Sequence, residues 1–65
     1  MYKIVTIHDD GDRTVLRATA TSEQEALKKG RDWYDRGYAI VDVLKCKRES
    51  EPLSKSILIK TYSTY

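Results

Sequence analysis

The chemically most suggestive residues are the chain's one histidine and the aspartates that follow it. His8 precedes Asp9, Asp10 and Asp12. An imidazole beside carboxylates can act as a general base or help to hold a metal ion. A calcium loop, however, needs a longer ligand series and a closing glutamate. Asp10-Gly11 is typical of a tight hairpin turn, so we predict a turn here, with no catalytic residue and no metal ligand.

Cys46 is the second candidate, with Lys45 and Lys47 on either side of it. Neighbouring cations favour a reactive thiolate, but adjacent residues of a strand point to opposite faces. One cysteine cannot form a disulfide within the chain, and one cysteine with one histidine falls short of the about four ligands of a zinc site. The three glycines are isolated and form no phosphate-binding loop. We therefore predict neither an enzyme nor a cofactor.

The elements that would position these residues follow the order ββαββ. The 65 residues suit a single small domain near the lower size limit for independent folding. We predict strands over 2–8, 14–21 and 38–47, a helix over about 23–36, and a loop over 48–55. Residues 1–47 would form the core, and residues 56–65 a fourth strand or a flexible C-terminal arm.

The predicted helix has clear start and stop signals. Ser22 is a good N-cap, and Glu25 is spaced to close a capping box. Gly37 suits the left-handed position after the helix. Gly30 lies on the apolar stripe of the helix, which we interpret as a sign that helix and sheet approach closely there. The stripe has helical spacing and consists of Ala26, Leu27, Gly30, Trp33 and Tyr34.

These elements predict an α+β fold. Strands one and two form a hairpin, and a right-handed crossover through the helix returns strand three beside strand one. The result is an antiparallel sheet of three to four strands in the order 2-1-3-4, with the helix packed on one face.

Strands one, three and four are apolar on both sides, although a single helix covers only one face of a sheet. Ile4, Val5 and Ile7 show this in strand one. A sheet with one solvated face normally alternates apolar and polar residues. Scattered exposed apolar side chains are one explanation. The other is an apolar patch that marks an interface.

Charge is high but balanced, with 12 basic and 10 acidic residues and a net charge of +2. A basic sheet surface with an aromatic platform would suit nucleic acid. The small net charge, the acidic turn and the lack of an RNP-type motif oppose that function. The candidate partner-binding residues for either kind of partner are Arg17, Lys45, Lys47, Lys60 and Tyr62.

From residue 2 to residue 47 the chain resembles the small phage-encoded inhibitors of bacterial RNA polymerase found in coliphage podoviruses. The shared pattern includes the helix start Ser22-Glu23-Gln24-Glu25-Ala26-Leu27, the pair Trp33-Tyr34, and Gly37-Tyr38 entering a strand that ends near Cys46. The resemblance implies a helix on a small antiparallel sheet and a protein that acts by binding. Arginines on the last strand of those inhibitors contact the polymerase. An ungapped alignment from Gly37 to Cys46 places Asp42 and Leu44 there.

The sequence thus favours a non-enzymatic protein-binding module, a phage-type inhibitor or modulator that occludes a surface of a host or phage enzyme such as RNA polymerase. Alternatives are a small nucleic-acid-binding protein with a basic sheet face, and an obligate homo-oligomer, for which we expect a homodimer. Met1 leads directly into a strand and no stretch approaches the ~18 apolar residues of a membrane span. We therefore expect no membrane partner and a cytoplasmic location, in the host if the chain is phage-encoded.

Overall fold

One helix packs on a four-stranded antiparallel sheet. The computed structural model describes residues 1–8, 13–48, 50–52 and 55–64. Its elements are β1 (Tyr2–His8), β2 (Arg13–Ala20), α1 (Glu23–Asp35), β3 (Ile40–Lys45) and β4 (Ile57–Ser63). The strand order is β2-β1-β3-β4, which confirms the predicted α+β class and topology.

The predicted fourth strand is present as β4, whereas β3 is shorter than the predicted 38–47. Gly37 turns the chain with φ 108°, and Tyr38 then packs against Trp33 with ring centroids 5.6 Å apart, so the chain joins the sheet only at Ile40. The turn predicted at residues 9–12 lies outside the described residues.

The start of α1 confirms the predicted N-cap but not the full capping box. The backbone N–H of Glu25 donates to Ser22 Oγ at 3.2 Å. The Glu25 carboxylate was predicted to return to the Ser22 backbone. Instead it accepts from the Thr21 hydroxyl at 3.4 Å and pairs with Lys29 at 3.1 Å, because a cation one helical turn away is the stronger partner for a carboxylate.

The helix covers one side of the sheet, which we call the helix side. Ile4, Val41 and Val43 of the sheet and Ala26 of the helix are fully buried there. Lys29 ties the helix to the sheet, because its Nζ donates to a carbonyl oxygen of β2 at 2.8 Å. Burial of these side chains is the main stabilising term in so small a domain.

Both edge strands contain a bulge. The register between β1 and β2 shifts at Ile4/Val5, which leaves Arg17 as an extra residue in β2. The register between β3 and β4 shifts at Val43/Leu44, which leaves Ile59 as an extra residue in β4. Bulges twist an edge and interrupt its ladder, so they oppose pairing with the edge of another sheet.

Candidate partner-binding surfaces

The side of the sheet away from α1 is the first candidate surface, and we call it the open face. Its members follow from the register of the three strand pairs and the alternation of side chains along each strand. They are Lys3, Val5, Ile7, Thr14, Leu16, Thr19, Ile40, Asp42, Leu44, Leu58, Thr61 and Ser63.

An apolar stripe crosses the open face from one edge of the sheet to the other. Leu16 lies opposite Val5, and Leu44 lies opposite Leu58, while Val5 and Leu44 are diagonal neighbours across β1 and β3. Val5 is only 1% exposed, but Leu16 is 49% and Leu58 55% exposed. The stripe therefore has a buried centre and two exposed leucines at its ends, and no helix of the described residues lies above it.

The charged side chains of the open face are already engaged. Lys3 is buried, and its Nζ donates to the carbonyl oxygen of Glu51 at 2.6 Å. Asp42 accepts a hydrogen bond from the Thr61 hydroxyl at 2.8 Å. The open face thus offers apolar area and hydroxyl groups, which suits another protein better than the phosphates of a nucleic acid.

The cations proposed from the sequence do not form one surface. Lys45 and Lys60 lie on the helix side of β3 and β4, opposite Tyr2 and Val43 respectively. Arg17 lies on the same side but in β2, the other edge strand. Lys47 follows the end of β3. The sheet therefore separates Arg17 from the remaining basic residues.

Tyr62 does not offer a free stacking platform. Its hydroxyl donates to the carbonyl oxygen of Leu27 at 3.2 Å, and its ring lies 6.2 Å from that of Tyr34. Lys60 places its Nζ 5.5 Å from the centre of the Tyr62 ring. The ring is half-buried between sheet and helix, so only part of it is open to a stacking nucleobase.

Lys45 and Lys47 instead line a cleft of about 270 Å³ beside the end of β3. Glu51 supplies negative charge there and accepts the Lys47 backbone N–H at 2.6 Å. Cys46 is buried and its Sγ donates to the Met1 carbonyl oxygen at 3.5 Å. The described lining of the cleft comprises Lys45, Cys46, Lys47, Glu51, Lys55 and Ile57.

Arg17 lies in a different environment, and its polar and aromatic contacts were not predicted from the sequence. Its Nε donates to Thr6 Oγ1 at 3.0 Å, and its Nη2 lies 3.3 Å from His8 Nε2. Its guanidinium carbon lies 4.8 Å from the centre of the Tyr38 ring and 5.4 Å from that of the Trp33 ring. The bulge in β2 creates this position by turning Arg17 to the helix side. No local sequence signal predicts such a bulge.

Within the described part of the chain, no group of three or more histidine, cysteine, aspartate or glutamate side chains is arranged to hold a metal ion. None of the described helical residues forms a helix long and apolar enough to cross a membrane. Comparison with protein-family models, with curated proteins and with solved structures finds no match to this chain.

Proposed function

We propose that this chain is a non-enzymatic protein-binding module whose open face is the binding surface. The observation that carries the proposal is the apolar stripe of the open face, which ends in two half-exposed leucines and is not covered by α1, the helix that the structure describes. Full burial of a leucine side chain contributes about 1.5–3 kcal/mol relative to exposure. Because Leu16 and Leu58 are half exposed, covering both would contribute roughly 2 kcal/mol.

The target that we propose is a macromolecular enzyme of the host, with bacterial RNA polymerase as the first candidate. Support comes from the resemblance to phage-encoded inhibitors. The positions that align with their polymerase-contacting arginines are Asp42 and Leu44, and both lie on the open face. A leucine and an engaged carboxylate replace two cations there, so the patch bound on the partner would be apolar rather than acidic. The site of action would be the cytoplasm, that of the host if a phage encodes the chain.

Nucleic acid is the alternative partner, and the arrangement of charges argues against it. Binding to phosphates needs several free cations along one surface. On the open face the described cation is Lys3, which is buried against a carbonyl oxygen. On the helix side Lys60 packs on Tyr62, and the lysines of the cleft beside β3 share it with the Glu51 carboxylate. We expect weak binding to DNA or RNA that is lost by about 0.15 M salt.

Run-off transcription by purified bacterial RNA polymerase tests this function. The chain is titrated as wild type and as two matched variants, Leu58→Ser and Ile57→Ser. These neighbours in β4 are 55% and 65% exposed, but only Leu58 is on the open face. We expect inhibition by the wild type and by Ile57→Ser, and about 10-fold weaker inhibition by Leu58→Ser, because one interface leucine contributes on the order of 1 kcal/mol.

Three results would overturn parts of this proposal. Absence of both inhibition and direct binding at about 100 μM protein, where even weak complexes form, would exclude the polymerase as target. Equal weakening by both variants would exclude the open face as the binding surface. Sub-micromolar, sequence-dependent binding to DNA or RNA at about 0.15 M salt would favour the nucleic-acid alternative.

A further inference from the structure

Two arginines share one aromatic ring at the C-terminal end of α1. The guanidinium carbon of Arg36 lies 4.2 Å from the centre of the Trp33 ring, and that of Arg17 lies 5.4 Å from the same centre. Tyr38 extends the aromatic surface, with Arg17 4.8 Å from its ring centre. We call these four residues the arginine–tryptophan cluster.

Neither guanidinium of the cluster has a carboxylate partner within the residues that the structure describes. The ion pairs described there are Lys29–Glu25 and Arg31–Asp35. Each arginine gains from the electron-rich face of an aromatic ring. Two cations that converge on one indole still repel each other. An anion between or beside them would remove this repulsion.

Arg17 is also held in place before any ligand binds. The bulge in β2 directs Arg17 to the helix side, and hydrogen bonds from its Nε to Thr6 and from its Nη2 to His8 fix the plane of the guanidinium. Since arginine only donates, His8 Nε2 is the acceptor of this bond. Of five N–H donors, these bonds use two and leave the others for a ligand.

We propose that the arginine–tryptophan cluster is a receptor site for a carboxylate side chain of a protein partner. A half-buried guanidinium held in a fixed plane matches the geometry of a carboxylate, which it can bind through two parallel hydrogen bonds. Nucleic acid fits less well, because Arg17 and Arg36 already lie over the indole ring on which a base would stack. The partner segment would therefore carry aspartate or glutamate.

This site lies on the helix side, whereas the function proposed above uses the open face. Either proposal can fail without the other. If both hold, the partner contacts the chain at two places of different chemistry, one apolar and one acidic.

Fluorescence of Trp33 gives a direct test, because it is the only tryptophan in the chain. Hexaglutamate is titrated into the wild-type protein at about 20 mM salt, where charge screening is weak. Hexalysine and the oligonucleotide (dT)6 serve as comparison ligands. We expect a saturable change of Trp33 emission with hexaglutamate, no change with hexalysine, and a weaker response to (dT)6.

Two matched variants separate a defined site from general attraction. Arg36→Gln and Lys28→Gln each remove one exposed positive charge from the same helical region, but only Arg36 contacts Trp33. We expect Arg36→Gln to weaken hexaglutamate binding by about 5-fold or more and Lys28→Gln by less than about 2-fold. Arg17→Lys keeps the charge but loses the planar fork, and we expect it to weaken binding as well.

Several outcomes would overturn the inference. These are a linear, unsaturable response to hexaglutamate, equal effects of Arg36→Gln and Lys28→Gln, or tighter binding of (dT)6 than of hexaglutamate. The triple variant Asp9→Asn/Asp10→Asn/Asp12→Asn tests whether carboxylates of the chain itself fill the site. If it binds hexaglutamate markedly more tightly than the wild type, the chain's own turn fills the site and no partner carboxylate is needed. If the triple variant binds hexaglutamate with the same affinity as the wild type, the result supports the inference.

Discussion

Gly30 of α1 lies directly against Val43 of β3. A Cβ atom added to Gly30 would come within 2.6 Å of Val43 Cγ2 and 3.1 Å of the Tyr62 ring. A Cβ contact as short as 2.6 Å requires a neighbour to move. The predicted close approach of helix to sheet at Gly30 is thereby confirmed. It explains why glycine, a poor helix former, lies in the middle of the apolar side of α1.

Gly30→Ala should destabilise the protein although it improves helix propensity. Alanine gains up to about 1 kcal/mol over glycine inside a helix, but overpacking a tight core costs typically about 1–3 kcal/mol. We expect a net loss of roughly 1 kcal/mol in the free energy of unfolding, measured by urea denaturation. In a Val43→Ala background the same change should cost less, because the clashing methyl group is gone and only the 3.1 Å contact with the Tyr62 ring remains. Equal effects in both backgrounds would contradict the steric explanation.

Ser22 should contribute to stability through its cap alone. Its hydroxyl accepts the Glu25 backbone N–H, so we expect Ser22→Ala to cost about 1 kcal/mol in the free energy of unfolding. Ser22→Asp should retain most of that energy, since aspartate also caps and its charge suits the positive end of the helix. If urea denaturation shows the same loss of unfolding free energy for both variants, the cap is not the source of the stabilisation by Ser22.

Glu25 makes stability depend on pH. Its hydrogen bond to Lys29, with the charge of that residue, lowers the pKa of the Glu25 carboxyl below its usual 4.5. The folded state therefore binds this proton less readily than the unfolded state, and the stabilisation is present above the usual pKa and lost as pH falls through the lowered value. Between about pH 6 and pH 3 the wild type should lose more stability than Glu25→Gln. Glu23→Gln, which removes a charge from the same turn, should follow the wild type; identical pH curves for all three would contradict this explanation.

Local signals were enough to predict most of the fold. The N-cap at Ser22 and the stop at Gly37 depend on neighbouring residues only, as do the strands that turn signals separate. The order β2-β1-β3-β4 then follows from general connection rules. These features could be predicted from the sequence because each depends on a few residues that are close in sequence.

The binding surfaces were harder to predict from the sequence, because the direction of a side chain depends on tertiary contacts. One extra residue in β2 changes which side of the sheet Arg17 faces, and alternation cannot locate such an insertion. The same holds for Lys60 and Tyr62, which follow the bulge in β4. The apolar character of both sheet faces was visible in the sequence, whereas the side that α1 covers was not.

Self-association is the other use of the open face, and we expect it to be weak. The bulges in β2 and β4 oppose pairing of sheet edges, which leaves the apolar stripe as the route to a homodimer. Sedimentation equilibrium from about 1 to about 500 μM should show a dimer toward the upper end. The double variant Leu16→Ser/Leu58→Ser should remain a monomer. A wild-type monomer throughout would exclude the homodimer, and an unaffected dimer in the double variant would exclude this face.

Methyl-group NMR of the chain in the presence of substoichiometric bacterial RNA polymerase tests the central claim most directly, namely that the open face of the chain binds this polymerase. We expect selective line broadening of the methyl signals of Leu16, Leu44 and Leu58. The methyl signals of Ile57, on the other side of β4, should stay sharp. Broadening confined to Ile57, or no broadening of any methyl signal, would contradict the claim.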